Sequence, residues 1–426
     1  MADLLSRHED VLAPVIAFNT KIHGDTAEGL WITDPEGRRW ADFACGTAVT
    51  NLGHRHPAVV EAARKQLDKM IHSGMVVHFD ALVEAAEKLR DITPQGIEKF
   101  AYANSGAEAV EATVKLAKHA TKRQGVITFR GGFHGRTMGS VSYTTSKAKY
   151  RDGYHPLLGS VFVAPFPHPY RWGVDSDTAV EMSLHELRMM FKHVVSPHNI
   201  AAFLIEPVQG EGGYYPAPPR FLDEIRAIAN EHGILLIYDE VQTGFGRTAE
   251  WFAVDHYDAK PDVMAFGKGI ANGFPLSAYG SGREIMDSWP IGSHGTTYGG
   301  NPVAVAASAA VIDTMGGLLP HARELSTRAF QRFNELAERH QTIGDVRGLG
   351  LMIGVEFVED RESRNPDAKA FQHVAAHAFD NELIIIECGP DGNILRFIPP
   401  LITTMEELDW AIDLIDQGLG TWETAS

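Results

Sequence analysis

The chain has two cysteines, no concentrated basic run and no apolar run of membrane-spanning length, and each shortage closes off a class of function. Cys45 and Cys388 are too few for a disulfide framework or a thiolate metal site, and their separation matches no zinc spacing, so a reducing, cytoplasmic setting is expected. The 38 Lys and Arg against 55 Asp and Glu leave a formal net charge of -17, which repels a phosphate backbone; no nucleic-acid partner is expected. Apolar runs such as Ile234 to Tyr238 and Leu383 to Ile386 are strand-length, well short of the roughly 20 residues that span a bilayer, and no membrane partner is expected. The first ten residues lack a basic region followed by an apolar stretch, so no secretory signal is expected there. No His-Glu-x-x-His or comparable cluster occurs, His54-Arg55-His56-Pro57 fits a polar loop, and no metal is expected.

What is present is an ordinary large soluble composition: 426 residues, 44% hydrophobic and 22% charged, enough to bury a sizeable core. From about residue 100 to 310, short apolar runs alternate with helix-like stretches, the pattern of a largely parallel sheet covered by helices. Ala201 to Ile205, Ile234 to Tyr238 and Val263 to Phe266 are each followed at once by polar or glycine residues. Ligands collect at the carboxyl ends of such strands, which places Glu206, Asp239-Glu240 and Gly267-Lys268-Gly269 where chemistry is expected. Pro219 to Glu231 is expected to be helical and to stop before Gly233. Ahead of about residue 60 the pattern predicts a short helix and a hairpin, Leu30 to Thr33 and Arg39 to Phe43, around Asp34-Pro35-Glu36-Gly37. After about residue 315, helical Leu318 to His340 leads into glycine-punctuated Val346 to Phe357 and a strand at Ile394 to Phe397. The expected division is 1–60, contributing to a small domain; 61–315, a large domain; and 316–426, the C-terminal small domain.

Three features carry chemistry. Asp239 ends an apolar strand, where a carboxylate ordinarily caps a helix or meets a cation. Lys268 lies between two glycines after another such strand, an unusual setting for a long charged side chain. Asn104-Ser105-Gly106-Ala107-Glu108 precedes a helical stretch from Val110 onward and either caps it or offers backbone N–H groups to an anion. Taken together, they suit pyridoxal 5′-phosphate (PLP), which needs an amine for its aldehyde, an anion beside its pyridine nitrogen and a cradle for its phosphate.

With Phe133-His134-Gly135-Arg136, Glu206-Pro207-Val208-Gln209-Gly210-Glu211-Gly212-Gly213, Asp239-Glu240-Val241-Gln242-Thr243-Gly244, Gly267-Lys268-Gly269 and Thr296-Thr297-Tyr298-Gly299-Gly300-Asn301-Pro302 in order, the chain resembles class III aminotransferases through nearly its whole length. The resemblance implies fold type I of the PLP-dependent transferases, an α/β fold with a large, mainly parallel sheet, helices on both its faces and a smaller α/β domain. It implies that Lys268 anchors PLP and moves the substrate proton, with pyridoxamine 5′-phosphate formed during turnover. Asp239 would pair with the pyridinium, and Gln242 would donate to the phenolic oxygen. Val241 and Phe133 would cover the two ring faces, while Ser105, Gly106 and Ala107 would hold the phosphate. His134 and Glu206 belong to the same expected cofactor set. Thr297 would serve the neighbouring subunit's phosphate site, so a homodimer with shared active sites, or a higher homo-oligomer built from it, is implied.

The partners implied are an amino donor and a keto-acid acceptor. By the same resemblance, Arg136 grips a carboxylate remote from the reacting amine and Arg396 grips an α-carboxylate. Glu211 neutralises Arg396 when that carboxylate is absent; a fixed Glu211–Arg396 pair is the alternative. This set favours an ω-amino acid, 4-aminobutyrate foremost, with 2-oxoglutarate as acceptor in a ping-pong cycle. Acetylornithine, ornithine and broad ω-amine:pyruvate aminotransferases share parts of the pattern, and an aminomutase shares the cofactor chemistry. Thr47, in Cys45-Gly46-Thr47-Ala48-Val49, stands where 4-aminobutyrate enzymes usually carry a bulkier aliphatic residue, so it enters the expected substrate set as a departure.

Overall fold

The computed structural model describes residues 2–425; Met1, in the segment where no leader is expected, and Ser426 lie outside the described residues. Its centre is a seven-stranded sheet made of β1 (Lys99–Ala103), β2 (Gly125–Phe129), β3 (Val161–Ala164), β4 (Ile200–Ile205), β5 (Leu235–Asp239), β6 (Val263–Phe266) and β7 (Ser277–Ser281). The order across the sheet is β1-β7-β6-β5-β4-β2-β3. Strands β2 to β6 pair in parallel, and β7 runs antiparallel to both β6 and β1.

The strands are continuously apolar because both faces are covered. Successive residues go to opposite faces: Ala202, Leu204, Ile237, Val263 and Ala265 join Val110, Val114 and Ala117 of helix α1 (Gly106–Thr121) in one cluster. Their neighbours Phe203, Ile205, Leu236, Tyr238, Met264 and Phe266 join the other, larger cluster with Leu222 and Ile225 of α2 (Pro219–His232). Small side chains on the first face let α1 sit close to the sheet. Aromatic ones fill the wider second layer, each contributing roughly 1.5–3 kcal/mol on burial. Helix α2 stops at Gly233, whose φ of 62° is the left-handed cap that glycine adopts without strain. Helix α1 begins four residues ahead of the expected Val110, because Ser105 caps it at Gly106.

Beyond α3 (Leu319–Arg339), the chain forms an antiparallel sheet of β8 (Ile343–Leu349), β9 (Met352–Phe357), β10 (Ile386–Cys388) and β11 (Ile394–Phe397) in the order β8-β9-β11-β10, followed by α4 (Met405–Ala425). The N-terminal hairpin forms as expected, with Trp31 opposite Ala41 and Thr33 opposite Arg39. The strand-length run Leu383 to Ile386 is divided between two strands in two sheets. Leu383 and Ile384 pair in parallel with Ala41 and Asp42, whereas Ile386 pairs with Arg396. The chain changes sheets at Ile385 and so ties the N-terminal meander to the C-terminal lobe. Among the described residues no single helix is long and apolar enough to cross a membrane.

Candidate active site

Parallel register brings three strand ends side by side. Ile205 pairs with Tyr238 and Asp239 with Ala265, so the residues just beyond, Glu206, Asp239 and Lys268, meet at one edge of the sheet. Lys268 takes a φ of 45° at the start of a single 3-10 turn, and its ammonium has no hydrogen-bond or ion-pair partner among the described residues. Burial, then the charge of Arg396, pushes this amine down to about 8, against the pull of Glu206, Glu211 and Asp239.

Asp239 is buried and held from two sides, accepting from the Val241 N–H at 3.1 Å and from His134 Nδ1 at 2.8 Å. Glu206 accepts from the N–H groups of Phe133 at 2.7 Å and Gly210 at 2.9 Å. Burial pushes its carboxyl up to about 7, with His134 opposing and Asp239 adding to the shift. Two buried carboxylates therefore suspend the Phe133-His134 loop over the strand ends. Gln242 accepts from the Tyr214 hydroxyl at 2.8 Å and makes no hydrogen bond through its amide NH2 among the described residues.

Ser105 is an N-cap: its hydroxyl accepts from Glu108 N–H at 3.3 Å, while the Glu108 carboxylate takes the N–H groups of Asn104 and Ser105. The N–H groups of Gly106 and Ala107 have no protein partner among the described residues, as is usual in the first turn of a helix. A Cβ at Gly106 would lie 2.8 Å from Val241 Cγ1, so the helix start is pressed against the residue after Asp239-Glu240.

Beside this edge opens a cavity of about 920 Å³ whose lining includes Thr47, Arg136, Lys147, Tyr150, Glu211 and Arg396. Arg136 is exposed, pairs with no carboxylate among the described residues, and rests 4.6 Å over the Tyr150 ring and 5.7 Å over that of Phe133. Arg396 is buried; its Nη2 donates to Glu211 Oε2, and its Nε is buried without a hydrogen-bond partner among the described residues. Burial would raise the Glu211 carboxyl, but Arg396 and Lys147 outweigh it and hold the group at about 2. Thr47 sits in a left-handed turn in which Cys45, Gly46, Thr47 and Ala48 have φ of 51°, 56°, 66° and 61°. Asp42 holds that turn by accepting from Ala44 and Gly46 N–H, both at 3.0 Å.

Thr297 is exposed; its neighbour Thr296 accepts from Asn104 at 3.1 Å, beside the Ser105 cap. Sequence reasoning missed Lys147, Tyr150 and Tyr214, whose side chains reach Glu211 or Gln242, and Arg247. Arg247 is fully buried and has no carboxylate partner among the described residues; it donates to the carbonyls of Leu351 and Pro399 and to Asn51, joining the N-terminal segment to the C-terminal lobe. The one available signal was its place two residues after the Thr243-Gly244-Phe245 turn.

Residues 15–419 match the family model described as aminotransferase class-III. The chain belongs to the class-III aminotransferases. This aminotransferase is 39% identical over 419 residues to 4-aminobutyrate aminotransferase GabT of Escherichia coli (strain K12), covering 97% of each chain. It is 41% identical to 5-aminovalerate aminotransferase DavT of Pseudomonas putida, covering 92% of each, and 37% identical to the alanine/serine racemase of Pyrococcus horikoshii, covering 92% of this chain and 84% of that one. A PLP-bound amine transaminase from an uncultivated Pseudomonas species superposes with a TM-score of 0.89 at 28% identity, covering 96% of this chain and 98% of the other. The enzyme is PLP-dependent, as its family is. Its residues fit that group: a sheltered amine without a partner, a buried carboxylate already oriented by a histidine, and two free N–H groups at a helix start pressed close to Val241.

Proposed function

We propose that the enzyme moves the terminal amino group of an ω-amino acid, best represented by 4-aminobutyrate, to 2-oxoglutarate, giving a semialdehyde and glutamate by alternating half-reactions. The observation that carries this is the pair of arginines in one cavity, Arg136 open and Arg396 covered by a carboxylate of the protein itself. An ω-amino acid has one carboxylate, which suits Arg136 while Glu211 stays on Arg396. 2-Oxoglutarate has two, and its α-carboxylate suits Arg396 through the unpaired Nε edge. A buried arginine left without an anion is costly, which is why Glu211 belongs there between acceptors. The relatives named for 4-aminobutyrate and 5-aminovalerate support a short ω-amino acid as donor.

PLP supplies the electron sink on which the amino group is carried. Lys268 would be its covalent anchor and, released by substrate, would take the proton from the amine-bearing carbon; an amine near 8 is partly neutral at working pH and can do so. Asp239, oriented by His134, would stabilise positive charge on the ring nitrogen. Gly106 and Ala107 N–H groups and the Ser105 hydroxyl would receive the phosphate at the α1 start. Gln242 would offer its free NH2 to the phenolic oxygen, with Phe133 and Val241 bounding the ring.

The shared-site homodimer is part of the proposal. Thr297 is exposed, and the adjoining loop presents Met75, Val76 and Val77 at 60%, 83% and 54% exposure, an apolar surface that a second copy would cover. We place the domain limits at residues 60 and 315, so that the cavity lies where the N-terminal segment, large sheet and C-terminal lobe meet.

A racemase, as one relative is named, needs a second proton carrier on the opposite side of the substrate carbon. Glu211, held at about 2, is poorly suited to that work. The test is a donor panel of ω-amino acids, ornithine, simple amines and L- and D-alanine against 2-oxoglutarate and pyruvate. Glutamate and succinic semialdehyde should accumulate from 4-aminobutyrate and 2-oxoglutarate. Absence of both products, or loss of optical activity from alanine without a keto acid, overturns the assignment.

A further inference from the structure

We propose that Lys147 and Tyr150 form a second seat for Glu211, onto which its carboxylate retires when Arg396 takes an α-carboxylate, and that this seat sets the enzyme's preference between substrates with and without that group. The proposal rests on the two-substrate reading above and names residues that the reading does not use. The two Glu211 oxygens are divided: Oε2 faces Arg396, while Oε1 accepts from the Tyr150 hydroxyl at 3.0 Å and faces Lys147 Nζ at 3.2 Å. Lys147 and Glu211 side chains are only 11% and 16% exposed, so this is a sheltered pair rather than a solvated surface bridge. Lys147 has no other carboxylate partner among the described residues.

A carboxylate that left Arg396 with nowhere to go would be a charge stranded in a poorly solvated wall, and that penalty would weaken the binding of every acceptor. With Oε1 already on Lys147 and Tyr150, a small rotation releases Arg396 while Glu211 stays neutralised. Burial, then Glu211, raises the Tyr150 hydroxyl to about 12, so it stays protonated and remains a donor to that carboxylate. Its ring also carries Arg136 at 4.6 Å, so one tyrosine touches both the arginine for the remote carboxylate and the glutamate that guards the other arginine.

The experiment uses holoenzymes of the wild type, Lys147→Met, Lys147→Arg and Tyr150→Phe. Each half-reaction is followed separately through the cofactor absorbance, with glutamate and with 4-aminobutyrate, and KM and kcat are resolved for each. In Lys147→Met, the ratio of glutamate to 4-aminobutyrate kcat/KM should fall about tenfold, carried by glutamate KM rather than kcat. Lys147→Arg should restore most of that ratio. Tyr150→Phe keeps the ring under Arg136, should shift the ratio about threefold in the same direction, and decides the matter if Lys147→Met fails to fold. An unchanged ratio, a ratio that rises, or an equal KM increase for both substrates overturns the seat. A wild type that uses glutamate but not 4-aminobutyrate refutes the donor assignment alone, and the ratio is then taken with the ω-amine that the panel yields. A wild type that rejects glutamate and 2-oxoglutarate overturns the seat itself.

Discussion

Two sets of arginine–carboxylate pairs in this molecule use the same chemistry to opposite ends. Along the outside of the C-terminal lobe, Arg328, Arg332 and Arg339 of α3 meet Asp409, Asp413 and Asp416 of α4. In the cavity, Arg396 meets Glu211. The outer ladder is partly solvated, with Arg339 and Asp413 each 54% exposed, so water can replace those two at little cost. Arg396, 3% exposed, has no such substitute, and only another anion can relieve Glu211 of its post. Burial converts an ion pair from an ornament of stability into a selector, because whatever displaces one partner must bring the same charge and shape.

The comparison breaks first at Arg396. Arg396→Met should lower kcat/KM for glutamate by about 100-fold, with a much smaller loss for 4-aminobutyrate. Equal losses in the two half-reactions, measured by stopped-flow absorbance, would show that the buried pair selects nothing. Next comes the uncompensated buried charge of Lys268. The unfolded chain holds that proton up to the ordinary 10.5 and the folded chain only to about 8, so stability should rise with pH between those values. Lys268→Met in the cofactor-free protein should therefore gain on the order of 2 kcal/mol at neutral pH by denaturant unfolding, the gain fading toward pH 10.5. A destabilised variant would contradict the cost assigned to that amine. The smallest effect belongs to the ladder: Arg339→Met should cost about 1 kcal/mol or less, leave the kinetics alone, and differ still less from wild type in about 1 M salt.

Much of the large sheet was legible because its strands are short apolar runs with abrupt polar ends, and those ends are where Asp239 and Lys268 stand. Periodicity sees hydrophobic content but not sheet membership, so nothing in the strand-length run Leu383 to Ile386 marks that Ile384 and Ile386 pair with different partners. The charged motif residues of the site were legible for a similar reason: Asp239 and Lys268 occupy positions where a solvated side chain is unexpected. Lys147 and Tyr150 carry no such mark. They lie at a single 3-10 turn more than 60 residues before Glu211, and a lysine or tyrosine there is ordinary until the fold closes the distance. Arg247 was hidden by the opposite error, since a guanidinium fully buried on carbonyls defies the expectation that arginine seeks carboxylate or water.

The turn from Cys45 to Ala48 winds as the mirror image of an ordinary helical turn, at a cost of roughly 1 kcal/mol for each residue that has a side chain. Thr47, a β-branched residue in that turn, is also part of the cavity wall. Enlarging a pocket usually lowers stability, since atoms that packed are lost. Here a change to glycine would widen the wall and relax the backbone in one stroke, so the shortest path to a bulkier amine starts at Thr47.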